Sequence, residues 1–169
     1  RGSWRRCPGP LHFTQEETGE VFTFPELLEE MGLEDLPEAK LHFSPDLTRK
    51  ELEVMIRELS ATEPIDQAWT RDLQKIERDL KGALDRYHTF AENAPLPFFD
   101  RLYQYIFYRQ LDKEASYGME ILARYAQKST QFILLQAART GDLLEAPRRW
   151  SEQIEYDTEN VDLLLSQQI

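Results

Sequence analysis

The chain has one cysteine, Cys7, among its 169 residues. A single thiol excludes an intramolecular disulfide and a four-thiolate metal site, and it favours a reducing compartment. We therefore expect a cytoplasmic location. No apolar run approaches the roughly 18 residues that a membrane-spanning helix needs, and no signal-peptide core follows the N-terminal arginines. We expect no membrane partner.

The sequence also lacks the short motifs that mark common catalytic chemistry. It contains no Gly-rich phosphate loop, no serine nucleophile elbow, no zinc signature and no dinucleotide fingerprint. Whether the chain is an enzyme is left open by this pattern, although it favours a non-catalytic protein. We expect no cofactor.

Basic residues are missing from two acidic stretches of the chain. Residues 11–38 carry nine acids and residues 150–169 carry five, and neither range has a Lys or Arg. Residues 1–10 carry three arginines and residues 39–149 are balanced, which gives the formal net charge of −11. Proteins that bind nucleic acid usually have the opposite sign, because neutralising phosphates supplies much of their affinity. We therefore expect no direct nucleic-acid binding, and a protein partner with a basic surface.

The size and composition of the chain predict one folded domain. Hydrophobic residues make up 41% and aromatic residues 11%, which is typical of a chain that buries a core. We predict a mainly α fold in residues 11–169, with a small β-hairpin in 11–43 and a bundle of four or five helices in 44–169. Residues 1–10 are predicted to be a flexible arm, whose first three residues resemble an expression remnant.

The hairpin prediction depends on two short β-prone runs. Leu11 to Phe13 and Val21 to Phe24 flank a loop in which Gly19 allows the positive φ that a tight turn requires. Leu41 to Phe43 offers a third strand as an alternative, which would give a three-stranded sheet. Homo-oligomerisation is left open.

Apolar spacing predicts the helices that follow. Thr48 and Glu51 form a capping box ahead of a helix to about Ser60. The 3–4 spacing of its apolar residues predicts that Leu52, Met55, Ile56 and Leu59 face inward. Apolar residues that recur at spacings of three and four then predict one helix of about six turns from Ile65 to Tyr87. Residues 95–141 are predicted to be the buried centre of the fold, with a wide apolar arc on the first helix and Gln104 on its polar side. Whether residues 98–139 form one helix or two is open at Gly118. A last helix is predicted at 148–166.

Two groups of exposed acids are candidates for partner binding. One group lies in and after the hairpin, and the other is spaced by 3, 4 and 3 residues, which places it on one face of the predicted last helix. A solvated helix face explains the second group equally well. The candidate residues are Glu16, Glu17, Glu20, Glu29, Glu30, Glu152, Glu155, Glu159 and Asp162.

A metal or acid/base site is the weaker alternative. Asp85, His88 and Glu92 lie at i, i+3 and i+7 and so share one helical face. Carboxylate-bundle metal sites use Glu-x-x-His on two helices, which this chain lacks. Five tyrosines could line a ligand cleft, although the pattern favours a core whose tyrosine hydroxyls reach its edge. They are Tyr103, Tyr105, Tyr108, Tyr117 and Tyr125.

Three functions remain after these observations. The first is a non-catalytic interaction module (an adaptor, assembly chaperone or regulatory or inhibitory subunit) that binds a protein through acidic surfaces. The second is a small helical enzyme, or a metal- or cofactor-binding protein, that uses Asp85 and His88. The third is a nucleic-acid mimic whose carboxylates occupy the groove of a nucleic-acid-binding protein.

Overall fold

The structure is a computed structural model, and it describes residues 11–33 and 36–169. The predicted arm at 1–10 and the two acids at 34 and 35 lie outside the described residues. The helices and strands are β1 (His12–Thr14), β2 (Val21–Thr23), α1 (Phe24–Glu30), α2 (Arg49–Ser60), α3 (Gln67–Arg78), α4 (Leu80–Asn93), α5 (Leu96–Arg109), α6 (Glu114–Tyr117), α7 (Met119–Thr140), α8 (Glu145–Trp150) and α9 (Thr158–Ser166). The mainly α fold with a small β-hairpin is confirmed. Grouping of the helices into one bundle of four or five is not confirmed.

The described chain forms two compact units. Unit 1 contains residues 11–33, 36–44 and 95–130, and unit 2 contains residues 45–94 and 131–169. Helix α7 supplies its first half to unit 1 and its second half to unit 2. Seven consecutive residues of α7, Ser129 to Leu135, are buried. A helix that buries its whole circumference is a core element.

The hairpin in unit 1 has the predicted position. Strands β1 and β2 pair antiparallel, with Phe13 opposite Phe22. The turn is closed where Gln15 donates its N–H to the Glu20 carbonyl at 2.9 Å, and Gly19 has a φ of 74°. Helix α1 follows β2 without a loop, because Thr23 and Glu26 form a capping box.

The third strand is not confirmed. The sheet that the described residues form has two strands, and Glu38–Leu41 form a 3₁₀ helix instead. Side chains of α5 take the backbone groups that a third strand would have used. Tyr103 donates to the Lys40 carbonyl, and Gln104 donates to the Leu41 carbonyl at 3.0 Å. The expected polar position of Gln104 is therefore wrong, since this side chain is buried.

Residues 98–139 form more than the one or two helices that were considered. Helix α5 ends at Arg109, and a 3₁₀ turn at Leu111–Lys113 leads into α6. Gly118 separates α6 from α7 with φ 83° and ψ 157°. That combination is open essentially to glycine alone, so the chain breaks there.

Unit 2 contains α2, α3, α4, the second half of α7, α8 and α9. The capping box of Thr48 and Glu51 begins α2, whose inward residues match the prediction. The predicted six-turn helix is two helices, because Asp79 leaves helical angles and its carboxylate accepts the Gly82 N–H at 3.0 Å. The core includes a row of rings in which Phe132 lies 5.4 Å from Trp69 and 5.8 Å from Trp150, between centroids.

The predicted last helix is also divided. Helix α8 passes into a π-helical turn at Ser151–Glu155, and Asp157 then caps α9 by accepting the N–H groups of Glu159 and Asn160. The predicted acidic face assumed regular α-helical spacing throughout the last helix. The π-helical turn interrupts that spacing. Among the helices of residues 11–33 and 36–169, none combines the length and the hydropathy of a membrane-spanning segment.

Candidate functional site

An open groove in unit 1 combines exposed apolar side chains with acidic neighbours. Its volume is about 420 Å³. The hairpin, α1 and α5 each supply part of its wall. The lining residues are Phe13, Thr14, Gln15, Phe22, Leu27, Glu30, Met31 and Tyr108.

Aromatic packing fixes the floor of this groove. Phe13 and Phe22 are directly opposite in the hairpin and therefore share one face of it. The Phe13 ring lies 4.5 Å from the Tyr108 ring and 6.0 Å from the Phe24 ring, between centroids. Phe24 is fully buried and contacts Phe107 of α5 in turn, at 5.1 Å. The groove therefore rests on the core of unit 1.

Apolar side chains at the groove reach solvent. Met31, which caps α1, is 49% exposed, and Tyr108 is 40% exposed. Exposed apolar side chains in one concave region are a recognised mark of a binding surface. Methionine also adapts its shape to different partners.

The charge around the groove has one sign along the hairpin and α1. Residues 11–33 contain six acids and no Lys or Arg. The five that were predicted as partner-binding residues, Glu16, Glu17, Glu20, Glu29 and Glu30, are all exposed, and Glu30 lines the groove. The sixth is Glu26, whose pKa is lowered by its hydrogen bonds to Thr23 in the capping box.

Two of these acids occupy positions that do not favour helix stability. Glu29 and Glu30 lie in the last turn of α1, which contains no basic residue. The C-terminal end of a helix carries partial negative charge and is stabilised by cations. Natural sequences depart from such local preferences for helix stability most often at functional residues. The stability of α1 therefore does not account for these two acids.

The acids predicted on the last helix do not form one exposed face. Glu155 is buried, at 9% exposure, because the π-helical turn directs it inward. Glu152 pairs with Arg148, which also pairs with Glu145. Glu159 and Asp162 are exposed on α9. This group belongs to unit 2, whereas the hairpin acids belong to unit 1. Its role in partner binding stays a prediction.

Two of the three candidate metal residues have other contacts, and the third, Glu92, is exposed. Asp85 pairs with Lys81 at 3.1 Å, and the His88 Nε2 lies 3.0 Å from the Leu47 carbonyl. Within the described ranges, no cluster of three or more His, Cys, Asp or Glu side chains has an arrangement that could hold a metal ion.

The candidate tyrosines have different environments. Tyr103 and Tyr125 are buried, whereas Tyr105 is 44% exposed. Burial and the nearby Asp100 and Glu120 carboxylates raise the pKa of Tyr103. Of the five tyrosines, Tyr108 is the one that lines the groove.

His42 has two acidic neighbours within unit 1. Through one of them, Asp100, it attaches the segment that precedes α2 to helix α5. The His42 Nδ1 lies 2.9 Å from Asp100, and its Nε2 lies 3.0 Å from Glu38. Both ring nitrogens can donate only in the imidazolium form. Partial burial lowers the pKa of His42, and the hydrogen bonds to Asp100 and Glu38 raise it by more, so the pKa lies above the ordinary value.

We expect His42→Gln to destabilise the protein more at about pH 5 than at about pH 8. A raised pKa in the folded state contributes stability that is fully present below the unfolded-state pKa. That contribution is lost as the pH rises through the folded-state pKa. Urea unfolding of both proteins at the two pH values measures the difference. An equal effect at both pH values would show that the charged form is not what the two carboxylates stabilise.

Comparison with protein-family models, with curated proteins and with solved structures gives no match for this chain.

Proposed function

We propose that the chain is a non-catalytic protein-interaction module, of the adaptor, assembly-chaperone or regulatory-subunit kind. It binds a basic protein partner through the acidic surface of unit 1. The observation that carries this proposal is the groove itself, where exposed Met31 and Tyr108 adjoin a stretch that contains acids and no Lys or Arg.

The combination of apolar and acidic groups supports a protein partner. Apolar contacts at the centre of an interface supply most of its binding energy, and charges at its rim supply the association rate and the choice of partner. Glu30 lies in the lining, and Glu16, Glu17, Glu20 and Glu29 are exposed in the same part of the chain. A basic surface complements this charge.

Neutralising two of these acids tests the proposal. The variant Glu29→Gln/Glu30→Gln removes two exposed charges from the last turn of α1. We expect it to weaken partner binding about fivefold, because exposed ion pairs each contribute up to about 1 kcal/mol. Its stability should not fall, since both substitutions also remove an unfavourable interaction with the helix dipole.

A matched control is available in unit 2. Glu77 and Glu92 are exposed acids in the last turns of α3 and α4. The variant Glu77→Gln/Glu92→Gln therefore makes the same change of charge, in the last turns of helices that belong to unit 2. We expect its partner binding to equal that of the wild type.

Affinity capture from an extract of the source organism, followed by mass spectrometry, provides the measurement. Raising the ionic strength from about 0.1 M to about 1 M shortens the Debye length from about 10 Å to about 3 Å, so the captured partner should be released. The proposal requires a partner that is sensitive both to salt and to the α1 variant. It fails if no such partner is captured, or if both variants lose the partner equally.

A further inference from the structure

The walls of the groove indicate how a partner would enter it. Strands β1 and β2 have three residues each, so the backbone edges of the hairpin offer few hydrogen bonds to an added strand. The groove is lined instead by side chains from the hairpin, from α1 and from α5. Recognition by side chains in a groove is the mode that amphipathic helices use.

The dimensions limit what can be inserted. One turn of a helix with its side chains is about 10–12 Å across and about 5.4 Å long, which is roughly 400–600 Å³. The groove, at about 420 Å³, therefore has no room for a length of helix. A few side chains of an apolar face fit such a volume. An occupying helix therefore lies across the opening and inserts apolar side chains that are one turn apart, at i and i+3 or i+4.

We propose that this groove binds a basic amphipathic helix of a partner protein. Its apolar side chains enter between Phe13 of the hairpin and Met31 of α1, and its Lys or Arg side chains face the acids Glu29 and Glu30. The inference rests on the proposed function and adds to it the form of the ligand. Charge complementarity identifies the occupant, because the hairpin and α1 contain no Lys or Arg.

One basic residue near the groove is already engaged. Arg109 follows Tyr108 at the end of α5, and its guanidinium carbon lies 5.8 Å from the centroid of the Tyr105 ring. The Nη1 of Arg109 also lies 3.4 Å from the Tyr105 hydroxyl. This side chain is directed along α5 toward Tyr105.

Three synthetic peptides of about four helical turns test the inference with the full chain. The first is a fluorescent Leu/Lys peptide whose leucines form one helical face. The second has the same composition in an order that gives no apolar face, and the third has Glu in place of Lys. Fluorescence anisotropy measures their affinities. We expect the amphipathic basic peptide to bind at least about tenfold more tightly than the reordered one, since only it can insert leucines together.

Substitution of a groove residue localises the binding. We expect Met31→Gln, which keeps the length of the side chain, to weaken binding of the amphipathic peptide about fivefold, as loss of an interface anchor does. Leu144→Gln is the matched control, because Leu144 is 72% exposed and belongs to unit 2. It should leave the affinity unchanged.

The outcomes separate this inference from the proposed function. If both Leu/Lys peptides bind equally and salt releases them equally, the acidic surface binds basic ligands and the helix-in-groove inference is wrong. An affinity that is unaffected by Met31→Gln overturns the inference in the same way. If neither basic peptide binds at low salt, the proposed function is contradicted as well. If the acidic peptide binds as tightly as the amphipathic basic peptide, charge does not select the ligand. That result would contradict both the inference and the proposed function.

Discussion

Phe107→Ala is expected to lower the free energy of unfolding by about 3–5 kcal/mol. The Phe107 side chain is fully buried in unit 1. Its ring lies 5.1 Å from the Phe24 ring and 6.0 Å from the Tyr103 ring, between centroids. Truncation removes these contacts and leaves a cavity that the surrounding helices fill only in part. The same change should also weaken ligand binding, since Phe24 supports Phe13 at the floor of the groove.

Tyr105 is the matched control for this prediction. It lies on the same helix, two residues earlier, and is 44% exposed. Tyr105→Ala should change the free energy of unfolding by no more than about 0.5 kcal/mol. Chemical denaturation of the three proteins, followed by circular dichroism, gives the comparison. A loss below about 1.5 kcal/mol for Phe107→Ala would mean that this ring is not part of a close-packed core.

Asn160→Ala is expected to cost about 2–3 kcal/mol, although it removes no apolar contact of note. The buried Asn160 side chain accepts the Glu63 N–H at 2.9 Å and donates to the carbonyls of Glu63 and Gln153, at 3.0 and 2.9 Å. Gln153, also buried, accepts the Ile65 N–H at 2.6 Å. Together the two amides hold the loop between α2 and α3. Loss of Asn160 removes the hydrogen bonds of the Glu63 N–H and of the Gln153 carbonyl, whereas the Glu63 carbonyl still accepts from Gln153. A polar group that loses its partner at a buried or part-buried position costs stability.

An exposed amide on α3 provides the comparison. Gln74→Ala removes the same kind of group where water replaces it, so the expected change is within about 0.5 kcal/mol. Hydrogen exchange of the Glu63 and Ile65 amides is a second readout, because both should exchange faster in Asn160→Ala. A cost for Asn160→Ala that equals that of Gln74→Ala would contradict the structural role given to the buried amide.

Local signals in the sequence were sufficient to predict several elements. Gly19 between two β-prone runs identified the hairpin, and Thr48 with Glu51 identified the start of α2. Both signals depend on a few neighbouring residues, whose side chains and backbone satisfy one another. The inward residues of α2 followed from the 3–4 spacing in the same way. The mainly α fold follows from such signals added along the chain.

Helix ends that fall inside a continuous apolar pattern were harder to predict. The 3–4 spacing of apolar residues continues across Asp79, because one non-helical residue hardly changes the direction in which the following side chains point. The carboxylate of Asp79 nevertheless caps a new helix by accepting the Gly82 N–H. Asp three residues before Gly was a usable signal for that break. Gln104 offered no such signal, since its burial depends on a carbonyl that lies 63 residues away in the sequence.

The candidate site was predictable in its charge and not in its shape. Counting acids along residues 11–38 identified the exposed carboxylates of unit 1. The groove was not identified, because it forms only where Tyr108 of α5 meets Phe13 of the hairpin. On the last helix the spacing of the acids was misleading, since the π-helical turn rotates Glu155 into the interior.

The most direct test of the binding surface is an NMR titration of the isotopically labelled full chain with the amphipathic Leu/Lys peptide. The account predicts amide shift changes that concentrate at the lining of the groove, and most strongly at its apolar residues Phe13, Phe22, Leu27 and Met31. Shift changes spread evenly over all exposed acids, or centred on Glu159 and Asp162 of α9, would contradict it.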